Sequence, residues 1–181
     1  IPDRFHIVIQ ARNALDKTRI NLCKKSNPNY KKFKKYWKLL LKDKRDLDKK
    51  KKKYQTCFKK EMTQYDIVSY LLNTNEELYE TYQIYQSILY SVDTRNKEIF
   101  LSILNGKNKK ISKYMKKALK TFKNMKKYIL NAFDYEYSNG IVEGTNNLIK
   151  QIKHTAYGYR KFKHLKARVM LIKGLYNPIK V

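Results

Sequence analysis

Residues 111–129 read ISKYMKKALKTFKNMKKYI, and this stretch decides the class of fold. Its apolar side chains recur every three or four positions, at Ile111, Met115, Leu119, Phe122, Met125 and Ile129. That spacing places them on one face of an α-helix, while most of the positions between them are lysines. The stretch therefore predicts an amphipathic helix over about 109–133, with one buried apolar face and one basic exposed face.

Helical periodicity continues on both sides of this segment. We predict further helices at about 5–22, 29–41, 74–92, 94–105, 140–157 and 160–175. Thr74 and Glu77 have the spacing of a capping box. Residues 43–53 end in five lysines and are predicted to be a solvated helix face or a loop. With at most a short extended entry at the N-terminus, the fold is predicted to be mainly α, with a helical bundle over about 26–134.

The charge of the chain is large, positive and unevenly distributed. Lys and Arg number 42 against 15 Asp and Glu, which gives a net charge of +27. A field of this sign attracts polyanions. Residues 61–98 hold seven acids and two bases, whereas the tracts around 107–127 and 150–173 hold no acid. We expect the two basic tracts to contact phosphates, and the acidic stretch to face away from DNA or to pack against the lysine-rich helix.

The cysteines and the apolar runs exclude several classes of protein. Cys23 and Cys57 are isolated, without the paired spacing of a zinc site or the framework of a disulfide-rich domain. We expect them to be reduced thiols in a cytoplasmic protein. No apolar run approaches the ~20 residues of a membrane span, so no membrane partner is expected. Because the chain opens at Ile1-Pro2 without Met, we expect it to be a fragment.

A single acid stands near the start of the predicted helix at 140–157. Asn139 is a suitable N-cap, which places Glu143 in the first turn, where the helix dipole favours a carboxylate. Glu143 shares one helix face with Asn147, Lys150 and His154, and the opposite face carries Ile141, Thr145, Leu148 and Ile152. A carboxylate beside DNA-binding cations suits a Mg²⁺ ligand, because hard divalent ions take oxygen ligands and bridge to phosphates.

Two readings of Glu143 remain open from the spacing. The carboxylate could simply complement the helix dipole or pair with Lys150. Gly140 and Gly144 favour a functional role, because glycine beside an acid lets a backbone or ligand come close. Asp3 has the same ambiguity: it is either a helix N-cap or a second metal ligand that the fold brings beside Glu143.

Five motifs give the chain a specific resemblance. They are DRFHIV at 3–8, ALDKTR at 14–19, WKLLLK at 37–42, SNGIVEGTNN at 138–147 and AYGYRKF at 156–162. In this order they resemble bacterial insertion-sequence transposases of the IS-L-three group of DDE transposases. The similarity extends over nearly the whole chain. The SNGIVEGTNN and AYGYRKF motifs are the most distinctive.

The resemblance implies a fold and a metal site. Such enzymes have an RNase H-like core whose Asp-Asp-Glu triad holds two Mg²⁺ (or Mn²⁺) ions, and Asp3 and Glu143 match the second and third acids. The long interval between them fits a helical insertion domain. The implied divisions are a remnant of the core at 1–25, the insertion at 26–134, and the catalytic-Glu helix with a basic C-terminal helix at 135–181.

The resemblance also implies DNA as the partner, both transposon ends and target, and a homo-oligomer in the full-length protein. The residues implied in DNA contact are Asn147, Lys150, Lys153, His154, Tyr159, Arg160, Lys163 and Arg168. For each of them a merely solvated position remains an alternative. Because the first triad Asp belongs upstream of residue 1, the isolated chain is expected to cleave no DNA. The alternative function is a non-catalytic, basic, helical DNA-binding remnant.

Overall fold

The computed structural model describes residues 4–106, 110–134 and 140–175, and its fold is mainly α. Within these ranges the helices are α1 Arg4–Leu22, α2 Tyr30–Leu40, α3 Gln64–Leu72, α4 Glu76–Asp93, α5 Lys97–Asn105, α6 Lys113–Asn124, α7 Lys126–Asp134, α8 Gly140–Thr155 and α9 Phe162–Ile172. A 3-10 turn, Lys44–Asp46, and two strands, β1 Lys53–Gln55 and β2 Lys60–Met62, lie between α2 and α3. The predominance of helix predicted from the periodicity is confirmed.

Side-chain caps set where several helices begin. Asn75, Asn96 and Ser112 each accept a hydrogen bond from the backbone N–H three residues later, at the starts of α4, α5 and α6. These caps satisfy amides that have no partner inside the helix. The capping box predicted at Thr74 is wrong. The reciprocal box lies instead at Thr63 and Asp66, where it opens α3, a helix that the periodicity did not predict.

The core forms around α1, which packs against both α4 and α6. Ala11 and Leu15 of α1 are fully buried. The small alanine side chain allows close approach of neighbouring helices, and leucine fills the remaining space. Further fully buried side chains come from the other elements of this unit, among them Phe33, Leu40, Leu71, Leu78, Ile88 and Met115. Burial of this apolar surface is the main stabilising term for the bundle.

A buried polar chain joins the same three helices. The Thr18 hydroxyl of α1 donates to the Ala14 carbonyl at 2.8 Å and shares a hydrogen bond with the Ser112 hydroxyl at 2.7 Å, and the Ser112 amide donates to Thr81 Oγ1 of α4 at 3.0 Å. Ser112 Oγ also caps α6 by accepting from the Met115 amide at 3.2 Å. Each of these hydroxyls is buried, so an unmade bond would carry a desolvation penalty. The start of α6 is therefore fixed against α1 and α4.

The long helix predicted over 109–133 is instead two helices, α6 and α7, with a break at Met125. Met125 was predicted on the buried face but is 38% exposed. The break lets two aromatic side chains reach one partner, because Phe122 of α6 and Phe133 of α7 both contact the Phe100 ring, at centroid distances of 6.0 and 5.3 Å. Aromatic packing thus overrides the simple helical period.

The prediction of no internal strand is also wrong. Strands β1 and β2 pair antiparallel, with Tyr54 opposite Glu61. Phe58 lies in the turn between them. Its ring packs edge-on to the Tyr70 ring of α3, with 4.9 Å between ring centroids, and contacts the Tyr36 ring of α2, with 5.6 Å between centroids. The hairpin is too short for a period-two pattern to show in the sequence, and its turn is held by tertiary contacts.

The chain divides into two compact units, residues 1–136 and residues 137–181. The first holds α1 to α7 with the hairpin, and the second holds α8 and α9. Helix α1 belongs to the same compact unit as the helices that follow it. The predicted divisions after residues 25 and 134 stay predictions, because compactness alone does not separate an insertion from the core that carries it.

Two buried tyrosines on α4 allow a matched test of the packing. Tyr85 Oη donates to the Leu41 carbonyl at 2.8 Å. Among the described residues Tyr82 Oη has no hydrogen-bond partner, and burial raises the Tyr82 pKa. We expect Tyr85→Phe to lower the free energy of unfolding by about 1–3 kcal/mol, because the Leu41 carbonyl loses its donor. Tyr82→Phe should leave that free energy unchanged or higher.

Urea denaturation of both variants followed by circular dichroism makes the comparison. Equal losses in the two variants would contradict the assignment of a hydrogen bond to Tyr85 alone.

Candidate nucleic-acid interface

Helix α8 places Glu143 in its first turn, as the sequence predicts. The side chain is exposed. The unpaired amides at the start of a helix carry partial positive charge, so this position suits a carboxylate. Asn139, the predicted N-cap, lies outside the described residues. From residue 140 to residue 175 Glu143 is the single acid in the sequence.

The backbone beside Glu143 is open. A Cβ added at Gly144 would meet nothing within 4 Å, so packing inside the described structure does not require glycine here. Glycine inside a helix is less stable than alanine by about 0.5–1 kcal/mol. The glycine at 144 therefore leaves space beside the carboxylate at some expense of helix stability, which suits close approach of a ligand.

The two faces predicted for α8 are mostly confirmed. Glu143, Asn147, Lys150 and His154 are all exposed on one side. On the other, Ile152 is buried, and Thr145 and Leu148 are half-buried. The prediction is wrong at Ile141, which is 81% exposed. This residue belongs to the first turn of α8, ahead of the part of the helix that packs.

The cationic side chains of α8, α9 and the segment between them are directed to solvent. All eight lysines and arginines in 150–173 are exposed: Lys150, Lys153, Arg160, Lys161, Lys163, Lys166, Arg168 and Lys173. Of the predicted DNA contacts, Tyr159 differs from the rest, because it is half-buried and its hydroxyl is shielded from solvent. Just before it the chain turns sharply, with positive φ at Tyr157 (49°) and Gly158 (104°).

The lysine-rich segment of the first unit is amphipathic, as predicted. Met115, Ala118, Leu119 and Phe122 of α6 are buried. The opposite side, which we call the α6 lysine stripe, consists of Lys113, Lys116, Lys117, Lys120 and Lys123, all exposed. Helix α6 contains no acid. The stripe is therefore a row of positive charge that spans about 15 Å at 1.5 Å per residue.

One contact links the acidic stretch to the lysine tract. Lys110 donates to Glu76 Oε1 at 2.5 Å, and this hydrogen bond raises the Lys110 pKa. Lys97 similarly pairs with Asp134. The acidic stretch was predicted either to face away from DNA or to pack against the lysine-rich helix. At Glu76 it contacts the start of the lysine-rich segment, through Lys110. The α6 lysine stripe begins three residues later, at Lys113.

A groove of about 390 Å³ between α1 and α6 was not predicted from the sequence. Its polar lining includes His6, Asn13 and Lys17 from α1, together with Tyr114 and Lys117 from α6. The α1 residues recur at helical spacing on one face. This row of polar residues was the feature of the sequence from which a polar groove along α1 could have been predicted. The groove begins close in sequence to Asp3, and Lys117 connects it to the α6 lysine stripe.

The carboxylates that would hold a metal are only partly described. Asp3 lies outside the described residues, so its predicted place beside Glu143 stays a prediction. In residues 4–106, 110–134 and 140–175, no three His, Cys, Asp or Glu side chains gather as a metal site. Glu143 fits such a site in kind, because an exposed carboxylate oxygen is the donor that Mg²⁺ and Mn²⁺ accept. Within the described ranges, no helix has both the length and the apolar character to cross a membrane.

Comparison with known proteins gives a family and one curated relative. The IS-L-three family of DDE transposases, described as "Transposase", matches residues 1–169. The chain is 38% identical over 125 residues to a protein of Lactococcus lactis subsp. lactis named "ATP-dependent protease". That alignment covers 67% of this chain and 40% of the relative, so the chain spans well under two thirds of the relative's length. No solved structure matches.

The family match spans both compact units, including α1, the α6 lysine stripe and the helix that carries Glu143. It also contains the five motifs, of which SNGIVEGTNN includes Glu143 and Asn147 of the exposed face of α8 and AYGYRKF directly follows that helix. The chain belongs to the IS-L-three family of DDE transposases.

Proposed function

We propose that this chain is the part of a DNA transposase that supplies the third metal-binding carboxylate, Glu143, and much of the surface that holds DNA. The observation that carries the proposal is that Glu143, exposed in the first turn of α8, is the single acid of α8 and α9, where every other formal charge is cationic. A general solvated surface mixes both signs. An exposed carboxylate in so cationic a part of the sequence is suited to a divalent ion beside phosphates.

In this proposal Glu143 acts with Asp3 and with a further Asp outside this chain, on an RNase H-like core. When bound, Mg²⁺ or Mn²⁺ ions polarise the phosphodiester and stabilise the attacking and leaving oxygens. The chain's own contribution is to hold the Glu143 carboxylate at the positive end of a helix. Gly144 leaves the approach to it open, and Lys150 lies on the same helix face, placed for a neighbouring phosphate.

The apolar surface of the second unit supports placement on a larger core. Among its described residues Ile152 and Leu165 are the buried hydrophobic side chains. Several large ones are exposed: Ile141, Val142, Phe162, Leu171, Ile172 and Leu175. A helix pair that exposes so much apolar surface requires another layer to cover it, and the sheet of an RNase H-like core is such a layer.

For DNA binding we propose the α6 lysine stripe together with the exposed cations of α8 and α9, acting on transposon ends and target DNA in the bacterial cytoplasm. Lysine recognises phosphate as a point charge, which gives affinity with little sequence preference. We further propose that the full-length protein acts as a homo-oligomer, because joining two transposon ends to one target requires more than one DNA-binding unit.

The proposed DNA binding predicts a steep salt dependence. If six or more lysines or arginines contact phosphates, the affinity for a duplex of arbitrary sequence should fall roughly 1,000-fold or more between about 50 and 200 mM salt. Fluorescence anisotropy with two unrelated duplexes of the same length measures this fall. We expect the same slope for both duplexes. A shallow slope would contradict phosphate binding by the α6 lysine stripe and by the tract at 150–173.

The proposed role of Glu143 predicts that binding and cleavage can be separated. The 181-residue chain should bind DNA but leave supercoiled plasmid unnicked with Mg²⁺ or Mn²⁺, because α8 and α9 contribute one carboxylate to a site that needs several. In a full-length family member that carries this chain, Glu143→Gln should abolish cleavage and leave DNA affinity unchanged within about twofold. Asn146→Asp, at an exposed position of α8 outside the predicted DNA contacts, is the control for a local charge change. Metal-dependent nicking by the isolated chain that disappears with Glu143→Ala would overturn the proposal.

A further inference from the structure

Helix α2 carries a second row of lysines. Lys31, Lys34, Lys35 and Lys38 are exposed. Helical spacing places Lys31, Lys34 and Lys35 on one face, and Lys38 follows a kink of α2 at Tyr36 (φ −108°, ψ 15°). We call these four residues the α2 lysine stripe. The opposite side of α2 is anchored in the core by Phe33, Tyr36 and Leu40, which are buried. The stripe cannot therefore rotate away from solvent.

The fifth lysine of α2, Lys32, has contacts that hold neighbouring elements together. The Lys32 ammonium donates to Asn29 Oδ1 at 3.0 Å and to Tyr70 Oη at 2.7 Å. It also lies over the rings of Phe58 and Tyr70, at 5.0 and 4.4 Å from their centroids. Lys32 thus joins α2 to α3 and the hairpin turn. The four stripe lysines have no comparable set of contacts.

The stripe opposes the stability of its own helix. Lysines three or four residues apart repel each other along a helix face. The first turn of α2 contains no acid but does contain Lys31, at the end of the helix where the dipole disfavours a cation. No side chain caps α2 at Asn29. A bound polyanion would relieve this repulsion.

The turn of the hairpin extends the same surface. Lys35 Nζ donates to Thr56 Oγ1 at 3.2 Å, so the turn lies beside the stripe. Lys59, in this turn, has a φ of 53°, a backbone conformation that favours glycine or asparagine. The Lys59 side chain is exposed.

No carboxylate neutralises the stripe within the described part of the chain. The ion pairs found there join Arg19 to Asp16, Arg45 to Asp43 and Asp93, Lys97 to Asp134, and Lys110 to Glu76. Stripe ammoniums instead lie near the faces of adjacent aromatic rings, Lys34 near Tyr30 at 5.9 Å and Lys38 near Trp37 at 5.8 Å. The positive charge of α2 remains available to an external anion.

We propose that the α2 lysine stripe, with Lys59 of the hairpin turn, is a second DNA-binding face on the helical unit, separate from the α6 lysine stripe. It contacts the phosphate backbone of duplex DNA. At the helical rise of ~1.5 Å per residue the four lysines extend over roughly 10 Å, which is long enough to reach more than one phosphate of a strand whose charges recur every ~3.4 Å along the duplex axis. A membrane surface is a poorer fit, because the apolar side of α2 is buried in the core and cannot enter lipid.

The two stripes are carried by different parts of the unit. Helix α2 packs on α3 and α1, whereas α6 packs on α1, α5 and α7. The inference rests on the DNA binding proposed above and extends it to a surface that none of the predicted DNA contacts includes. It also gives the helical unit a role in DNA binding that does not depend on the α6 lysine stripe.

The test measures the salt dependence of duplex binding by the full 181-residue chain and a variant in which Lys31, Lys34, Lys35 and Lys38 are all changed to Gln. If each lysine contacts a phosphate, the slope of log affinity against log salt should become shallower by roughly 3 to 4. The matched control replaces four exposed lysines outside both stripes, Lys24, Lys25, Lys44 and Lys49, with Gln. The control variant has the same net charge as the stripe variant, and its slope of log affinity against log salt should change much less.

A second variant with Arg at the four stripe positions retains charge and should keep the wild-type slope, which separates charge from packing. Circular dichroism confirms that each variant folds. The proposal is overturned if the Gln stripe variant and the control lose slope equally. If the wild-type chain itself shows no salt-dependent binding, the proposed function fails with it. A third outcome is possible, in which the wild-type chain shows a steep slope that only replacement of the α6 lysine stripe with Gln makes shallower. That outcome would overturn the proposed α2 face and leave the proposed function standing.

Discussion

The buried hydrogen bonds between Thr18 and Ser112 and between Ser112 and Thr81 are the constraint on which the first unit depends. Hydrophobic burial alone would hold α1, α4 and α6 together, but it is not directional and would permit small rotations. A buried hydroxyl without a partner is unfavourable, so the polar chain selects one arrangement. Ser112 is also the N-cap of α6. The bond that positions this helix therefore sets which of its faces points outward, and with it the direction of the α6 lysine stripe.

Charge in this protein is separated by element as well as by sequence. Glu76 and Asp134 each pair with a lysine inside the first unit, while the lysines of α2 and α6 stand in rows without acids on their own helices. Such rows weaken the helices that carry them. The apolar faces beneath, centred on Phe33 and Phe122, are fully buried and offset that repulsion. The core thus permits a surface that the helices would not form alone, which is how a stable bundle can expose strongly cationic helix faces.

The amphipathic helices were predictable because their apolar side chains recur at the helical period, and the exposure of Glu143, Lys150 and His154 followed from the same spacing. The errors occurred where a contact distant in sequence decides the local structure. Phe100 draws in both Phe122 and Phe133, which breaks the predicted long helix at Met125. Phe58 packs against Tyr36 and Tyr70, which fixes a hairpin too short to have a pattern of its own. At the start of α4, Asn75 rather than Thr74 provides the cap. Two polar residues in succession left the sequence ambiguous there.

The sequence by itself determined the helical class, the sign and segregation of the charge, and the place of Glu143 in the first turn of its helix, because these depend on composition and on spacing along one chain. Tertiary structure decided which lysines are structural and which are available. Lys32 and Lys35 both lie on α2, three residues apart, yet Lys32 is half-buried among Asn29, Tyr70 and Phe58, while Lys35 is exposed and, among the described residues, its ammonium has a single hydrogen bond, to Thr56. Their difference comes from α3 and the hairpin turn, which fold back from some twenty to forty residues further along the chain. Only the packed fold brings those partners together.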